Sequence, residues 1–210
     1  MAKQIEGVYE RILECAKAEF LDKGYVDASL RTIAANADTS TNSIYVRFKD
    51  KEGLFSAIVE PAVNTLMDMF RNVQETFHSF DSETQKQQMG KYSSNGMLAM
   101  IDYIYDHLDE FRLLLDASYG TRYQNFVDEL VRVETEYTYK YMEATGCFME
   151  MEEAVSRDFL HIVDTAYFEG IFEVIRHGMG RERAKQYVSM LGEYHHAGFQ
   201  AIVGSGEEIL

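Results

Sequence analysis

Ser40, Thr41, Asn42, Ser43, Tyr45 and Arg47 fall within one short run, with Lys49 and Lys51 close behind. Small hydroxyls, a carboxamide, a phenol and several cations at this density suit the edges of bases and the oxygens of phosphates. Between Ser29 and Lys51 the cations Arg31, Arg47, Lys49 and Lys51 stand against Asp38 and Asp50, a local net of +2. The histidines are the other residues that invite chemistry. His195 and His196 are adjacent, so a helix points them roughly 100° apart and they cannot share a metal in the usual i, i+4 manner. His161 and Asp164 are spaced to face one site, with His107 as a candidate third member. The chain shows no His-Glu-x-x-His, no nucleophile elbow and no phosphate-cradling glycine loop. It therefore reads as a non-enzyme, with no catalytic residue, no metal and no cofactor expected.

The polar run needs a scaffold to present it, and the flanking residues predict one. Leu30, Ile33, Ala34 and Ala37 lie on one face of a short helix, which Ser29 can cap by accepting an unpaired N–H of the first turn. Asp38-Thr39-Ser40 break that pattern. Ser40 can cap a second helix reaching about Phe48, whose narrow apolar stripe is Ile44 and Phe48. Ala34 is small enough for the two helices to cross closely at a steep angle. That is the geometry of a helix-turn-helix, whose second helix enters the DNA major groove. Ser29 and Thr32 are placed to help from the first helix. A preceding helix from about residue 2 to 23, stopped at Gly24, would bury Ile12 and Phe20 against Leu30, Ile33 and Ile44.

The run Ile33-Ala34 … Ala37 … Ile44-Tyr45-x-x-Phe48-x-x-Lys51-Glu52-x-Leu54-Phe55 resembles the N-terminal signature of TetR-family transcriptional regulators, over about residues 8 to 55. Asp38 stands where that family usually has a turn glycine, and Asp tolerates the left-handed conformation better than most residues. Thr41 and Asn42 stand where many members have Lys-Gly, which makes this helix less basic. The resemblance implies an all-α fold of about nine helices. Residues 1–50 would form a three-helix helix-turn-helix DNA-binding domain, and residues 51–210 a larger helical ligand-binding and dimerisation domain. It also implies a homodimeric regulator, most often a repressor, that leaves double-stranded operator DNA when a small-molecule effector binds. The rival from another class is an all-helical small-molecule-binding protein or enzyme with an accidental helix-turn-helix pattern.

A net charge of −15 looks wrong for a nucleic-acid binder until it is divided along the chain. Residues 1–60 carry −2 and residues 61–210 carry −13, so the acidity belongs to the C-terminal body. Such a body repels DNA from every face but the basic one. Hydrophobic content of 46% with a single proline points to a globular, helix-rich chain. Cys15 and Cys147 follow no metal or redox spacing, and Cys15 is expected as a buried free thiol. No apolar stretch approaches the roughly 20 residues that span a bilayer, and the first residues read as an amphipathic helix rather than a signal peptide. A cytoplasmic protein without membrane association is expected.

Beyond Asp50 a long helix to about Phe77 is expected, kinked near Ala57 by Pro61. Residues 78–95 read as a polar loop or a short exposed helix. Helices are expected over about 96–108, 111–117, 122–144, 152–177 and 184–203. The last two are apolar on two faces, with Gly192, Ala197 and Gly198 small enough for close contact. They have more to bury than one body can cover, and so read as half of a four-helix dimer interface. Its candidate residues are Phe159, Ala166, Gly170, Val188, Leu191, His195, Gly198 and Ile202. The ligand cavity implied by the resemblance would draw on Met97, Met100, Tyr103, Tyr119, Tyr123, Phe126, Tyr137, Tyr141, Phe168 and Phe172. Such a set suits a largely apolar or aromatic effector, since tyrosines offer flat faces with a hydroxyl and methionines adapt in shape.

Overall fold

The computed structural model describes residues 2–149 and 152–203. Every regular element among them is a helix: α1 (Ala2–Asp27), α2 (Leu30–Asn36), α3 (Thr41–Phe48), α4 (Lys51–His78), α5 (Ser82–Asp106), α6 (Leu108–Asp116), α7 (Phe126–Thr145), α8 (Glu153–Arg176) and α9 (Arg181–Ile202). The chain packs as two compact units, one of Met1–Thr65 with His107–Phe126, the other of Leu66–Asp106 with Val127–Leu210. A division at residue 50 suggested itself from the sequence. The packing instead keeps the first half of α4 and all of α6 with the N-terminal helices.

In the first unit, Ile12, Ala16 and Phe20 recur every fourth residue along α1 and are completely buried. Ile33 and Ala34 of α2, Ile44 and Phe48 of α3, and Leu54 and Phe55 of α4 are buried too. Each large apolar side chain removed from water in this way contributes about 1.5–3 kcal/mol. The Phe55 ring meets Phe20 edge-on at 5.2 Å, and Tyr9 stacks on Phe48 at 5.3 Å. Gly24 ends the regular part of α1 with φ 71° and ψ 167°, backbone that is essentially glycine's alone. Just beyond it, Tyr25 N–H donates to the Ala117 carbonyl at 2.9 Å, and Lys17 pairs with Glu110, tying α1 to α6 and the chain that follows. Cys15, expected to be buried, is only half-buried, because its position on α1 lies beside the apolar stripe rather than on it; Cys147 is the buried thiol.

In the second unit the largest departure from expectation is α5. The polar stretch after residue 81 is helix, continuous with the segment from Gly96 onward. Asp81 starts it by accepting the Thr84 N–H at 3.0 Å and the Thr84 hydroxyl at 2.7 Å. Lys86, Gln87 and Gln88 are good helix formers and lie exposed, so their polarity is that of a solvated face. The other face buries Gln85, Met97, Met100, Ile101 and Ile104. α4 runs as one helix through Pro61, which is exposed. α9 packs against both α5 and α8.

Candidate functional site

The turn between α2 and α3 is closed by backbone geometry. Thr39 N–H donates to Ala34 C=O at 2.9 Å and Asp38 N–H to Ala35 C=O at 3.2 Å, the paired bonds of a Schellman stop. That stop requires a left-handed residue, and Asp38 supplies it with φ 50°. Ser29 Oγ accepts the Thr32 N–H at 3.4 Å, and Ser40 Oγ accepts the Ser43 N–H at 3.1 Å, so both serines cap as their positions predicted. Glu19 steadies the first cap by accepting the Ser29 N–H at 3.0 Å.

With Ile44 and Phe48 buried, α3 turns its other sides outward. Thr32, Ser40, Asn42, Tyr45 and Lys49 are exposed; Ser29, Thr41, Ser43, Arg47 and Lys51 are partly so. Arg47 folds back on its own helix, donating to the Ser43 hydroxyl at 2.6 Å and the Ser43 carbonyl at 3.1 Å. Val46 was not among the expected contacts, yet it is 75% exposed in the middle of this face. The signal lay in its spacing, since Val46 sits two residues from both Ile44 and Phe48 and cannot share their stripe. A branched methyl pair there matches a thymine methyl group in the major groove.

Lys51 departs from its expected place among the phosphate contacts. Its ammonium donates to the carbonyls of Val26 and Ala28, each at 2.9 Å, and lies 4.9 Å over the Tyr25 ring. Burial lowers its pKa, with Asp27 acting in the opposite sense. Two of its three protons satisfy carbonyls left open at the α1–α2 junction, so Lys51 is first a tie between α4 and that junction.

The second unit holds a cavity of about 810 Å³ lined from α5, α7, α8 and α9. Of the residues expected around a ligand, Met97 lines it; Met100, Tyr137 and Tyr141 join Met97 around a smaller neighbouring space of about 50 Å³. The others lie elsewhere. Tyr123 and Phe126 are core residues of the first unit, and Tyr119 in that unit is 79% exposed. Phe168 and Phe172 are buried, with Phe168 edge-on to Phe70 at 5.7 Å, and Tyr103 is absent from the lining. The dimer candidates divide as well. Phe159, Val188, His195, Gly198 and Ile202 line the cavity, and Val188 is fully covered. A Cβ on Gly170 would stand 3.1 Å from Leu191, so those two meet within the protomer. Ala166 remains on the outer side.

Two carboxylates stand in the cavity wall: Asp164, which the sequence pairs with His161 as a candidate site, and Glu134, which carried no sequence expectation. Glu134 on α7 accepts the Gln74 amide at 2.7 Å, and Asp164 on α8 accepts the Thr135 hydroxyl at 2.8 Å. Burial pushes the Glu134 carboxyl up to about 8, with the neighbouring Asp164 adding to the effect. Burial likewise raises Asp164, to about 6, against the Thr135 bond and His161. His195 Nε2 is 3.7 Å from Asp164, but burial lowers this imidazole to about 4, so at neutral pH the contact is polar rather than ionic. Tyr167 stacks on His195 at 4.2 Å, and burial, then Glu134 and Asp164, raise its phenol. The available signal was a charge interrupting an apolar stripe, Glu134 after Leu130 and Val131, and Asp164 between Leu160 and Phe168.

Residues 12–58 match the sequence model of the family described as bacterial regulatory proteins, tetR family. An HTH-type transcriptional regulator of Bacillus subtilis (strain 168), YvdT, is 34% identical over 71 residues, covering 34% of this chain and 37% of that protein. An HTH-type transcriptional regulator of Staphylococcus aureus (strain bovine RF122 / ET3-1) is 30% identical over 77 residues, covering 37% of this chain and 41% of that protein. The chain thus matches well under half the length of these relatives. Among solved structures, a TetR-family transcriptional regulator from Mesorhizobium loti superposes with a TM-score of 0.56 at 16% identity, over 92% of this chain and 97% of the other. NalD of Pseudomonas aeruginosa, the secondary repressor of the MexAB-OprM multidrug efflux pump, superposes with a TM-score of 0.57 at 18% identity, over 93% and 97%. At these identities the likeness is one of fold.

Proposed function

We propose that the chain is a regulator of the TetR type, homodimeric and ligand-responsive, that represses from double-stranded operator DNA, a reading supported by the family-model match over residues 12–58. The observation that carries this is α3: anchored by Ile44 and Phe48, capped by Ser40, and exposing Asn42, Tyr45 and Val46 on one projecting side. In this reading Thr41, Asn42, Ser43, Tyr45 and Val46 meet base edges. Ser29, Thr32, Ser40, Arg47 and Lys49 hold phosphates, and Lys51 contributes through its remaining proton. Residues of the second unit receive the effector in the cavity and form the dimer. Effector binding shifts the population away from the spacing of reader helices that fits the operator. No helix among the described residues is long and apolar enough to cross a membrane, and a cytoplasmic regulator fits that.

The interface we propose uses the side of α8 and α9 that the protomer leaves uncovered. Val155 and Ile162 are exposed seven residues apart on α8; Tyr187, Met190 and Tyr194 are exposed at three- and four-residue spacing on α9. Apolar faces of this kind are those a second copy covers.

The test is binding to the duplex upstream of the gene's own start, titrated with salt. Lys49→Ala should weaken all duplexes alike and reduce the salt slope by about one unit, whereas Asn42→Ala should change which sequences are preferred. Equal, weak binding of promoter and unrelated DNA, insensitive to both changes, would leave the rival reading of a helical small-molecule-binding protein standing instead.

A further inference from the structure

We propose that the cavity of the second unit takes an organic cation with a flat apolar body, its charge held by Glu134 and Asp164. This rests on the reading of that cavity as the effector site. A volume of about 810 Å³ suits a drug-sized molecule, and Phe159, Leu160, Val163 and Tyr167 give it apolar and aromatic walls. The walls are unequal in charge. Glu134, Asp164 and Glu193 line them, while among the described residues Lys91 is the one side chain of fixed positive charge in the lining. Gln74 serves one oxygen of Glu134 and Thr135 one oxygen of Asp164, and a carboxylate has room for about four hydrogen bonds.

An anion entering here would lie beside these oxygens, and a neutral body would leave the charge of Asp164, and at higher pH that of Glu134, uncompensated, both of which are costly away from water. A cation supplies what the protein omits. Its positive charge also suits the aromatic ring of Tyr167, which lines the cavity and stacks on His195.

The protonation state agrees with this. Facing Glu134 across the cavity are Asp164 and Tyr167 on α8, His195, His196 and Glu193 on α9, and Lys91 on α5. Burial lowers both imidazoles, so they stay neutral near pH 7. Glu134 holds its proton there in the empty cavity because burial raises it. A bound cation favours the carboxylate and expels that proton into solvent. Cation affinity therefore rises with pH through neutrality and levels off above about 8.

The experiment uses the full chain and three planar three-ring probes of matched size: N-methylacridinium, neutral acridine and anthracene-9-carboxylate. Fluorescence titration at about pH 8 should show the cation bound at least roughly tenfold more tightly than acridine, with the carboxylate weakest. Glu134→Gln, and separately Asp164→Asn, should bring the cation-to-acridine ratio toward one, in variants whose circular dichroism matches the parent. Calorimetry at about pH 7 in buffers of different ionisation heat should show close to one proton released with the cation, and none in Glu134→Gln. Equal or tighter binding of acridine or the carboxylate overturns the cation preference while leaving the cavity an effector site. An unchanged ratio in both variants overturns the role of the carboxylates. Failure of all three probes at about 100 μM, far above a useful effector affinity, overturns the cation proposal and the effector reading together.

Discussion

At Asp38 the backbone adopts φ 50°, a conformation that most side chains with a Cβ resist. The Schellman bonds at Ala34 and Ala35 hold it there, so the turn into α3 depends on one tolerant residue. Asp38→Gly should change stability by less than about 1 kcal/mol, while Asp38→Val, branched at Cβ, should cost roughly 1–3 kcal/mol. Urea unfolding followed by near-ultraviolet circular dichroism separates the two. Glu134 makes a different kind of residue-scale argument. Its folded-state pKa, about 8, lies above the ordinary carboxyl value, so the folded chain keeps a proton that the unfolded chain has lost. The corresponding stability is present at acid pH and is lost as pH rises through 8. Below about 6.5 the buried His195 acts oppositely, because the unfolded imidazole gains a proton that the folded one refuses. Between about 6.5 and 8 the slope is therefore chiefly that of Glu134. Calorimetric melts should show the midpoint falling across that window in the parent and staying nearly level in Glu134→Gln.

The start of α4 shows how one element is pinned to its neighbours. Asp50 accepts the Gly53 N–H at 2.7 Å, and a Cβ at Gly53 would stand 1.9 Å from the Phe48 carbonyl oxygen. A backbone atom cannot move aside as a side-chain end can. Gly53→Ala should therefore force α3 and α4 apart, cost roughly 1–3 kcal/mol and weaken operator binding even at temperatures where the chain stays folded. Gel-shift titration beside thermal melts reads both effects. Lys51 works at the same junction, holding the carbonyls of Val26 and Ala28. Much of this was legible in the sequence: the helix-turn-helix, its serine caps, the stop at Gly24 and the identity of the buried face all follow from spacing and cap chemistry. Three things were not. Lys51 looks like any exposed cation until the chain two helices back brings open carbonyls to it. The polar half of α5 has no apolar run to mark it, and its inner face shows only at i, i+4 spacing through Gln85, Met89 and Met97. Which aromatic lines a cavity depends on how α5, α7, α8 and α9 meet, and that is a property of tertiary packing rather than of composition.

For the whole molecule, charge and symmetry bear on how the proposed regulator would meet DNA. Residues 61–210 carry −13 against −2 for residues 1–60, so a polyanion would be repelled by most of the chain outside residues 1–60, and binding by α3 would weaken steeply with salt. A single α3 with so few cations offers little affinity alone. Two of them on a palindrome bind as one ligand, and the linkage raises affinity by roughly 10² to 10⁴. The proposed dimer would make a weakly basic reader helix sufficient, and the exposed side of α8 and α9 is the face we assign to it. Leu191 is a poor place to test this, because it packs on Gly170 within the protomer and a charge there would disturb the fold itself. Met190 is 71% exposed and Tyr194 80% exposed, so charges at both leave the protomer core untouched. Met190→Glu with Tyr194→Glu should sediment at the mass of one 24.2 kDa chain, and the parent should sediment at twice that. Its helical circular dichroism should match the parent, and its affinity for a palindromic operator should fall by about 10²-fold or more, approaching that for a half-site. A double variant that still sediments as a dimer would move the interface off this face, and one that is monomeric with undiminished operator affinity would separate dimerisation from DNA recognition.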